Sequence, residues 1–274
     1  MLNTSIVLYN HSVAEIESLV LSLRQSALVQ EVYLIDNSPT PSPEFNSLPV
    51  NYIFNNKNLG YGAAHNIALR KTIEQGISYH LVVNPDIELN GSELEEIVKF
   101  MDINTNIGLL MPKVLYPDGK IQYLCKLLPT PFDLIYRRFL PQDWTEKRME
   151  RFEMRVSGYN KLMDVPYLSG CFMFLRTEAL KEVGLFDERF FMYPEDIDLT
   201  RRIHRKYQTV FLPDVSIVHH HAQSSYLNFR MLMIHTVNMI KYFNKWGWFF
   251  DKERREVNKS IIKQFNDGFT SYSK

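Results

Sequence analysis

Residues 5–38 are SIVLYNHSVAEIESLVLSLRQSALVQEVYLIDNS, and the period of their hydrophobic pattern changes twice. The β-branched run at 5–9 predicts a short strand. Apolar residues between 16 and 23 then recur at helical spacing, which predicts an amphipathic helix. A second run at 31–35 ends at turn-forming residues and predicts another strand. This stretch therefore predicts a strand, a helix and a strand in succession.

The alternation continues downstream and predicts the fold class. Residues 51–54 and 79–83 have strand-like composition, and residues 61–75 between them have a helical pattern. Strands that alternate with helices form parallel sheets joined by right-handed crossovers. We therefore expect an α/β protein with a mostly parallel central sheet flanked by helices.

The rest of the pattern predicts the domain organisation. We expect one main domain at residues 1–225 and a C-terminal helical extension at residues 226–274. Residues 129–160 mix Pro, Arg, Glu and aromatic residues without clear periodicity, so we interpret them as a variable insertion. The extension has an apolar stripe at helical spacing, which we expect to be buried against protein. Its members are Phe229, Leu232, Met233, Val237 and Ile240.

Composition excludes several classes of protein. Lys and Arg together number 31, as do Asp and Glu, so no global positive field recruits nucleic acid. Cys125 and Cys171 form no CxxC pair, which argues against a zinc cluster and favours a reducing compartment. No apolar run approaches the roughly 18 residues that a membrane span needs. We therefore expect a cytoplasmic protein that binds no nucleic acid.

Polar residues follow three of the predicted strands. They are Asp36, the segment 55–62 and Asp86. In α/β sheets, ligands bind at the carboxyl ends of the strands, where loops converge and helix N-termini bind phosphate. The three pieces are therefore predicted to face one crevice.

Two of these pieces have residues suited to a phosphate or metal ligand. The segment 55–66, NNKNLGYGAAHN, has two glycines and a lysine before a predicted helix, although a surface turn with helix capping explains it equally well. It matches neither the GxGxxG fingerprint nor the P-loop, which argues against dehydrogenases and kinases with those motifs. In the NPD motif at 84–86, Asp86 would bind Mg²⁺ or Mn²⁺. The alternative is a turn or a helix cap, which is what most such tripeptides form.

Two further motifs carry ionisable groups. Residues 183–202, VGLFDERFFMYPEDIDLTRR, place Asp196 in the first turn of a predicted helix. The helix dipole favours an ionised carboxylate there, as a general base requires, and simple N-terminal capping is the alternative. Residues 219–221 are three histidines after a predicted strand, which suits a transition metal or an ordinary polar surface.

Together, the order and spacing of these motifs resemble the inverting family 2 glycosyltransferases of the GT-A fold, and among them the bacterial rhamnosyltransferase-like branch. The resemblance covers the chain from about residue 5 to about residue 225. It is carried by SIVLYN at 5–10, LIDNS at 34–38, NKNLGYGAAHNIAL at 56–69, NPD at 84–86, SGCFMFLRTEAL at 169–180, VGLFDERFFMYPEDIDL at 183–199 and IVHHH at 217–221.

The resemblance implies roles for residues that bind the donor nucleotide. Asp36 would contact the base, and Tyr9 and Asn10 would line its pocket. The nucleotide and diphosphate pocket would be shaped by three residues of the next motif, Asn58, Gly60 and Asn66.

The resemblance also implies the metal ligands and the catalytic acids. NPD occupies the position of the family's DxD motif, so Asp86 would bind Mn²⁺ or Mg²⁺, while Asn84 stands where the family has its first acid. His219 would complete the metal shell, although the resemblance does not decide which of the three histidines at 219–221 is the ligand. Asp196 would be the general base, and Glu195 a supporting or alternative group.

The implied activity is transfer of a sugar from a nucleoside-diphosphate sugar to a hydroxyl of a polysaccharide or lipid-linked acceptor, with inversion. The donor of first choice is dTDP-L-rhamnose, followed by UDP-galactofuranose and UDP-hexoses. Residues 129–160 would lie on the acceptor side. A nucleotidyltransferase and a catalytically inactive transferase-like domain remain alternatives.

The C-terminal extension suggests where the protein works. We expect the aromatic segment 242–250 and the basic residues after it to give peripheral contact at the inner face of the cell membrane. A homo-oligomer contact through the C-terminal helix is the alternative.

Overall fold

The computed structural model describes residues 1–135, 140, 142–220 and 229–266. Its strands are β1 (Leu2–Leu8), β2 (Val29–Asp36), β3 (Asn51–Phe54), β4 (Tyr79–Val83), β5 (Ile87–Glu88), β6 (Ile107–Leu115), β7 (Cys125–Lys126), β8 (Met163–Asp164), β9 (Tyr167–Leu168), β10 (Phe172–Arg176) and β11 (Gln208–His219). Its α-helices are α1 (Val13–Gln25), α2 (Tyr61–Glu74), α3 (Gly91–Ile103), α4 (Pro131–Leu134), α5 (Gln142–Phe152), α6 (Thr177–Val183), α7 (Pro194–His204), α8 (Phe229–Trp246) and α9 (Lys252–Asn266).

The central sheet has the strand order β3-β2-β1-β4-β10-β6-β11-β5, with β8 also paired to β11. The pairs β1–β2, β1–β4, β2–β3 and β6–β11 are parallel. Helices α1 and α2 connect strands in opposite directions across the sheet, so right-handed crossovers place them on opposite faces. The α/β class and the flanking helices are therefore confirmed, while β10 runs antiparallel between β4 and β6 and makes the sheet mixed.

Strand direction determines which loops meet at the functional edge. Parallel β1, β2 and β4 all end at one edge, which carries residues 9–11, 36–38 and 84–86. Because β10 is antiparallel and pairs Phe172 with Val83, the chain just before β10 lies at the same edge. Four separate pieces of sequence thus converge there.

The segment at 129–160 contains helices that its sequence pattern does not predict. Helices α4 and α5 lie within it, and Met149 and Phe152 of α5 are buried. These two apolar residues are too few to give α5 a clear period among its charged neighbours. Tertiary packing therefore decides this helix.

The prediction of a buried stripe on α8 was wrong for three of its five members, and the side chain of a fourth, Phe229, lies outside the described residues. Met233, Val237 and Ile240 are 49%, 44% and 40% exposed, whereas Tyr242 and Phe243 are fully buried in the main core. The helix is rotated so that the face carrying these two aromatic rings meets the core. None of the helices within the described ranges is both long and apolar enough to cross a bilayer.

A buried ion pair joins α7 to the C-terminal helices. Both terminal nitrogens of Arg201 donate to Asp251, at 2.7 and 2.8 Å, and one also donates to Glu253 at 2.6 Å. The guanidinium lies 4.1 Å from the centre of the Trp246 ring. Arg201 is almost completely buried, so its charge depends on these partners.

We expect Asp251→Asn to lower the free energy of unfolding by roughly 3–5 kcal/mol, because it leaves a buried guanidinium without its full counter-charge. Urea unfolding followed by circular dichroism measures this change. Glu178→Gln, which breaks an exposed pair with Lys181, is the control and should cost less than about 1 kcal/mol. A loss for Asp251→Asn as small as that of the control would contradict this account of the pair.

Candidate active site

A cleft of about 1880 Å³ lies at the edge where the four pieces of sequence meet. Its walls include residues of α5, α7 and α8 as well as the strand ends. Pockets for a single small ligand are typically about 300–1,000 Å³. The cleft therefore has room for two substrates side by side.

Glu195 and Asp196 lie on this cleft in the first turn of α7, and both are buried. The helix begins at Pro194, whose fixed φ suits the first helical position. Tyr193 before it has a φ of +92°, a conformation that costs a non-glycine residue roughly 1–3 kcal/mol. The turn is held by α8, where the Asn238 amide donates to the Met192 carbonyl at 3.1 Å.

The two carboxylates differ in their hydrogen bonds. Asp196 accepts from the backbone N–H of Gly170 at 2.9 Å and from that of Ile197 at 2.7 Å. The hydroxyl of Tyr167 lies 3.5 Å from the same carboxylate. Within the described residues, Glu195 has one buried carboxyl oxygen, Oε2, without a hydrogen-bond partner.

Because their surroundings differ, Glu195 and Asp196 have different pKa values. Burial raises the pKa of both, and the charge of Asp196 raises that of Glu195 further. The two backbone N–H groups oppose the rise in the pKa of Asp196, because they favour its charged form. Asp196 therefore ionises before Glu195, and a carboxylate with a raised pKa is the stronger base.

Asp86 and His219 meet on the same cleft through pairing of β5 with β11. His219 pairs with Ile87, and the His220 N–H donates to the Asp86 carbonyl at 2.9 Å. As a result, His219 Nε2 lies 3.2 Å from Asp86 Oδ1.

Gln122 sets the tautomer of His219. Its amide nitrogen donates to the His219 carbonyl at 2.7 Å, so its oxygen faces His219 Nδ1 at 2.9 Å and accepts the proton there. The other ring nitrogen, Nε2, is then directed toward Asp86.

This arrangement fits a divalent cation that is shared with a substrate. A carboxylate oxygen and an imidazole nitrogen suit Mn²⁺, and a hydrogen-bonded second ring nitrogen is typical of metal-binding histidines. Within the described ranges no group of three or more His, Cys, Asp or Glu residues forms a cation site. The remaining positions on the metal would therefore come from diphosphate oxygens and water.

The other histidines of the triplet are placed differently. His220 Nε2 lies 2.7 Å from Glu88 at an exposed position. His221 lies outside the described residues.

The residues that the resemblance assigns to the nucleotide divide into two groups. Tyr9, Asn58 and Gly60 line the cleft, whereas Asn10, Asp36 and Asn66 do not.

The residues that do not line the cleft form hydrogen bonds with other parts of the chain. Both Asp36 oxygens accept hydrogen bonds, from the Ser38 N–H at 2.8 Å and the Tyr52 hydroxyl at 2.6 Å. The Asn66 amide is bound to Phe186, as donor to its carbonyl at 2.9 Å and as acceptor from its N–H at 3.0 Å. Asn66 thereby ties α2 to the chain that leads into α7.

Gly60 is required by a close approach of another part of the chain. Its φ is +85°, and a Cβ there would lie 2.1 Å from the Phe191 carbonyl oxygen. That carbonyl also accepts from the Tyr61 N–H at 3.0 Å. The glycine thus allows the 58–61 loop to lie against the chain before α7.

Tyr61, Gly170 and Lys126 also line the cleft, and no sequence pattern assigned a role to any of them. The Tyr61 hydroxyl donates to the Gly170 carbonyl at 2.6 Å and lies 3.1 Å from the Asn84 amide oxygen. At the position where the family has its first acid, Asn84 thus contacts a tyrosine hydroxyl. Lys126 also lines the cleft, and its charge favours ionised Asp196. Tyr61 and Gly170 stand within motifs that carry the resemblance, whereas no local sequence pattern marks Lys126.

Comparison with known proteins gives the family. The model of glycosyl transferase family 2 matches residues 5–184. The chain belongs to this family. The match stops before α7, so it does not include the two acids of that helix.

Two curated relatives within the family are similar to this chain. The chain is 29% identical over 213 residues to an N-acetylglucosaminyl-diphospho-decaprenol L-rhamnosyltransferase of Mycobacterium tuberculosis, and the match covers 71% of this chain and 67% of that enzyme. It is 25% identical over 185 residues to the low-salt glycan biosynthesis hexosyltransferase Agl10 of Haloferax volcanii, covering 65% of this chain and 54% of that protein. The similarity to rhamnosyltransferases is thereby confirmed.

Solved structures confirm the GT-A fold. GalNAc-T7, crystallised with UDP, GalNAc and Mn²⁺, matches 97% of the transferase with a TM-score of 0.60 at 15% identity, and 55% of its own chain is covered. The mannosyltransferase PcManGT of Pyrobaculum calidifontis, in complex with GDP-Man and Mn²⁺, matches 98% with a TM-score of 0.54 at 14% identity, and 76% of its chain is covered.

Glu195→Gln should change how stability depends on pH. Burial and the charge of Asp196 raise the pKa of Glu195 from 4.5 to about 8. The native state thus holds this proton more tightly than the unfolded chain, and the stability it contributes is full below the unfolded pKa and lost as pH rises through the folded one. The midpoint of thermal unfolding of wild type should therefore fall, relative to the variant, between about pH 5 and about pH 9.

The amide has its own packing cost, which shifts the unfolding midpoint by the same amount at every pH. The raised pKa of Glu195 is therefore tested only by how the midpoint difference between wild type and variant changes with pH. Glu74→Gln, on the exposed surface of α2, is the matched control and should show a constant difference. A constant difference for Glu195→Gln as well would show that the carboxyl titrates as it does in the unfolded chain.

Proposed function

We propose that this transferase is an inverting, metal-dependent sugar transferase whose general base is Asp196. The observation that carries the proposal is one cleft that holds the buried Asp196 carboxylate together with the Asp86–His219 pair. A base for the acceptor and ligands for a metal–diphosphate are the two requirements of transfer from a nucleoside-diphosphate sugar.

On the donor side, Asp86 and His219 would hold Mn²⁺ or Mg²⁺ together with the diphosphate. The cation would supply charge neutralisation of the departing nucleoside diphosphate. Tyr9, Asn58 and Gly60, which line the cleft, would contact the nucleotide. Asp36, Asn10 and Asn66 would act on the nucleotide pocket through the loops that their hydrogen bonds hold.

On the acceptor side, Asp196 would take the proton of the incoming hydroxyl as the new glycosidic bond forms. The Gly170 and Ile197 N–H groups orient this carboxylate and keep it more readily ionised than its neighbour. Glu195 would retain its proton under the same conditions and so limit the negative charge next to the base. A single in-line displacement then inverts the anomeric carbon.

The identity of donor and acceptor is the finer part of the proposal. The named L-rhamnosyltransferase among the relatives supports dTDP-L-rhamnose as the donor and a lipid-linked saccharide as the acceptor. Helix α5 of the segment 129–160 forms a wall of the cleft and would contact that acceptor. In the domain arrangement that we propose, residues 1–225 form the catalytic domain and residues 226–274 an extension that supports it.

Asp196→Asn should reduce transfer by about 10²- to 10⁴-fold with donor affinity nearly unchanged, because the amide keeps the volume of the base but not its basicity. Initial rates with dTDP-L-rhamnose, and calorimetry for donor binding, provide the two readouts. Asp214→Asn, at an exposed position of β11, is the matched control and should keep full activity. Turnover above about a tenth of wild type would rule out Asp196 as the base.

Binding of dTDP should weaken in EDTA and recover with Mn²⁺ or Mg²⁺. Asp86→Ala and His219→Ala should each raise the metal concentration for half-maximal dTDP binding by at least about tenfold. His220→Ala removes the adjacent imidazole, which pairs with Glu88 instead, and should leave the metal response unchanged. Identical calorimetric affinity with and without metal would refute the metal assignment.

A further inference from the structure

The exposed face of α9 carries a row of cations. We define the α9 cationic stripe as Lys252, Arg255, Lys259 and Lys263, which recur every three or four residues and are exposed. At 100° per residue these positions fall on one face of the helix. Lys252 lies 3.7 Å from Glu256, but α9 has five basic and two acidic residues, so the stripe lies on a helix with an excess of positive charge.

Two phenylalanines lie directly before the stripe. Phe249 and Phe250, in the loop between α8 and α9, are 65% and 91% exposed. The other aromatic residues of the segment 242–250 do not share this exposure, since Tyr242 and Phe243 are buried in the core. Of the aromatic segment that we predicted to contact the membrane, Phe249 and Phe250 are thus the two rings that are largely exposed.

A cationic groove of about 270 Å³ adjoins the same surface, between α9 and the end of α5. Its basic residues are Arg151, Arg254, Arg255 and Lys259. In the part of the chain that the structure describes, Arg151, Arg255 and Lys259 have no ion pair. The groove therefore has unneutralised cations that suit an anion such as a phosphate.

Hydrogen bonds fix the groove and the phenylalanine loop to one another. Buried Arg254 donates to the carbonyls of Trp248, at 2.8 Å, and of Pro129, at 3.3 Å. Asn258 both donates to and accepts from the Leu128 backbone, at 2.9 Å in each case. The loop, α9 and the groove wall are thus held as one surface.

We propose that this surface binds an anionic phospholipid membrane. Phe249 and Phe250 enter the headgroup boundary, the α9 cationic stripe faces lipid phosphates, and the groove holds one phosphate of a lipid headgroup. Exposed rings beside cations are the combination that membrane interfaces favour. The proposal does not depend on which sugar donor the enzyme uses.

A second copy of the chain fits this surface less well. In a symmetric dimer the same patch meets itself, so the α9 cationic stripe would lie against an identical row of cations. An anionic bilayer provides the opposite charge over a large area and an apolar layer for the rings. The exposed Met233, Val237 and Ile240 of α8 remain a separate apolar face.

Co-sedimentation of the full chain with vesicles tests the proposal. Wild type should bind vesicles of phosphatidylcholine with phosphatidylglycerol far better than phosphatidylcholine alone, and less well as salt increases. Arg255→Gln/Lys259→Gln should reduce the partition coefficient roughly 30-fold, since each cation near an anionic surface contributes roughly a factor of five. Phe249→Ser/Phe250→Ser should reduce it at least about tenfold, because burying each ring is favourable.

Matched controls keep net charge and surface polarity comparable. Lys71→Gln/Lys99→Gln removes two exposed cations elsewhere, and Leu21→Ser/Ile103→Ser removes two exposed apolar side chains. Both should bind vesicles like wild type. All variants should retain donor turnover in solution, which separates this surface from the active site.

Equal sedimentation of the stripe or phenylalanine variants and their controls would overturn the proposal, as would absence of binding by wild type. Light scattering distinguishes the alternative occupant. A dimer that is present in wild type and lost in Phe249→Ser/Phe250→Ser would assign the surface to a second copy of the chain.

Discussion

Two adjacent carboxyl groups lie out of water in the first turn of α7, and burying such groups costs several kcal/mol unless hydrogen bonds or charges compensate. The compensation comes from distant parts of the chain. Gly170, just before β10, donates its N–H to Asp196, and the helix N-terminus itself favours a negative charge. The local fold around α7 thus allows one of two buried carboxyl groups to ionise.

The opposite side of α7 is fixed by charge pairs with the C-terminal helices. Buried Asp198 accepts from the Trp246 indole at 2.8 Å and pairs with Arg202 and Lys245. Arg201, on the same helix, is held by Asp251. These contacts leave α7 little freedom to rotate, which keeps the Asp196 carboxylate, our proposed base, oriented in the cleft.

Local sequence patterns predicted much of the fold and the elements that carry the site. The alternating periods predicted the strands from β1 to β4 and helices α1 and α2 between them, and the helical pattern within residues 183–202 placed Asp196 in a first helical turn. They could not reveal that Asn66 bonds Phe186, because those residues are 120 positions apart in sequence. The partners of Asp36 and the antiparallel direction of β10 depend on tertiary packing in the same way. Strand β11 also continues through Pro213, where its register against β6 shifts between Leu212 and Ser216.

We propose that Asp196 acts as a base in a single displacement, whereas some enzymes with two adjacent carboxylates use one of them as a nucleophile. The anomeric configuration of the transferred sugar distinguishes these chemistries most directly. Proton NMR of the product glycoside, compared with the donor, should show inversion at the anomeric carbon. A product with the configuration of the donor would rule out Asp196 as the base of a single displacement, because retention requires a second displacement and hence a covalent or equivalent intermediate.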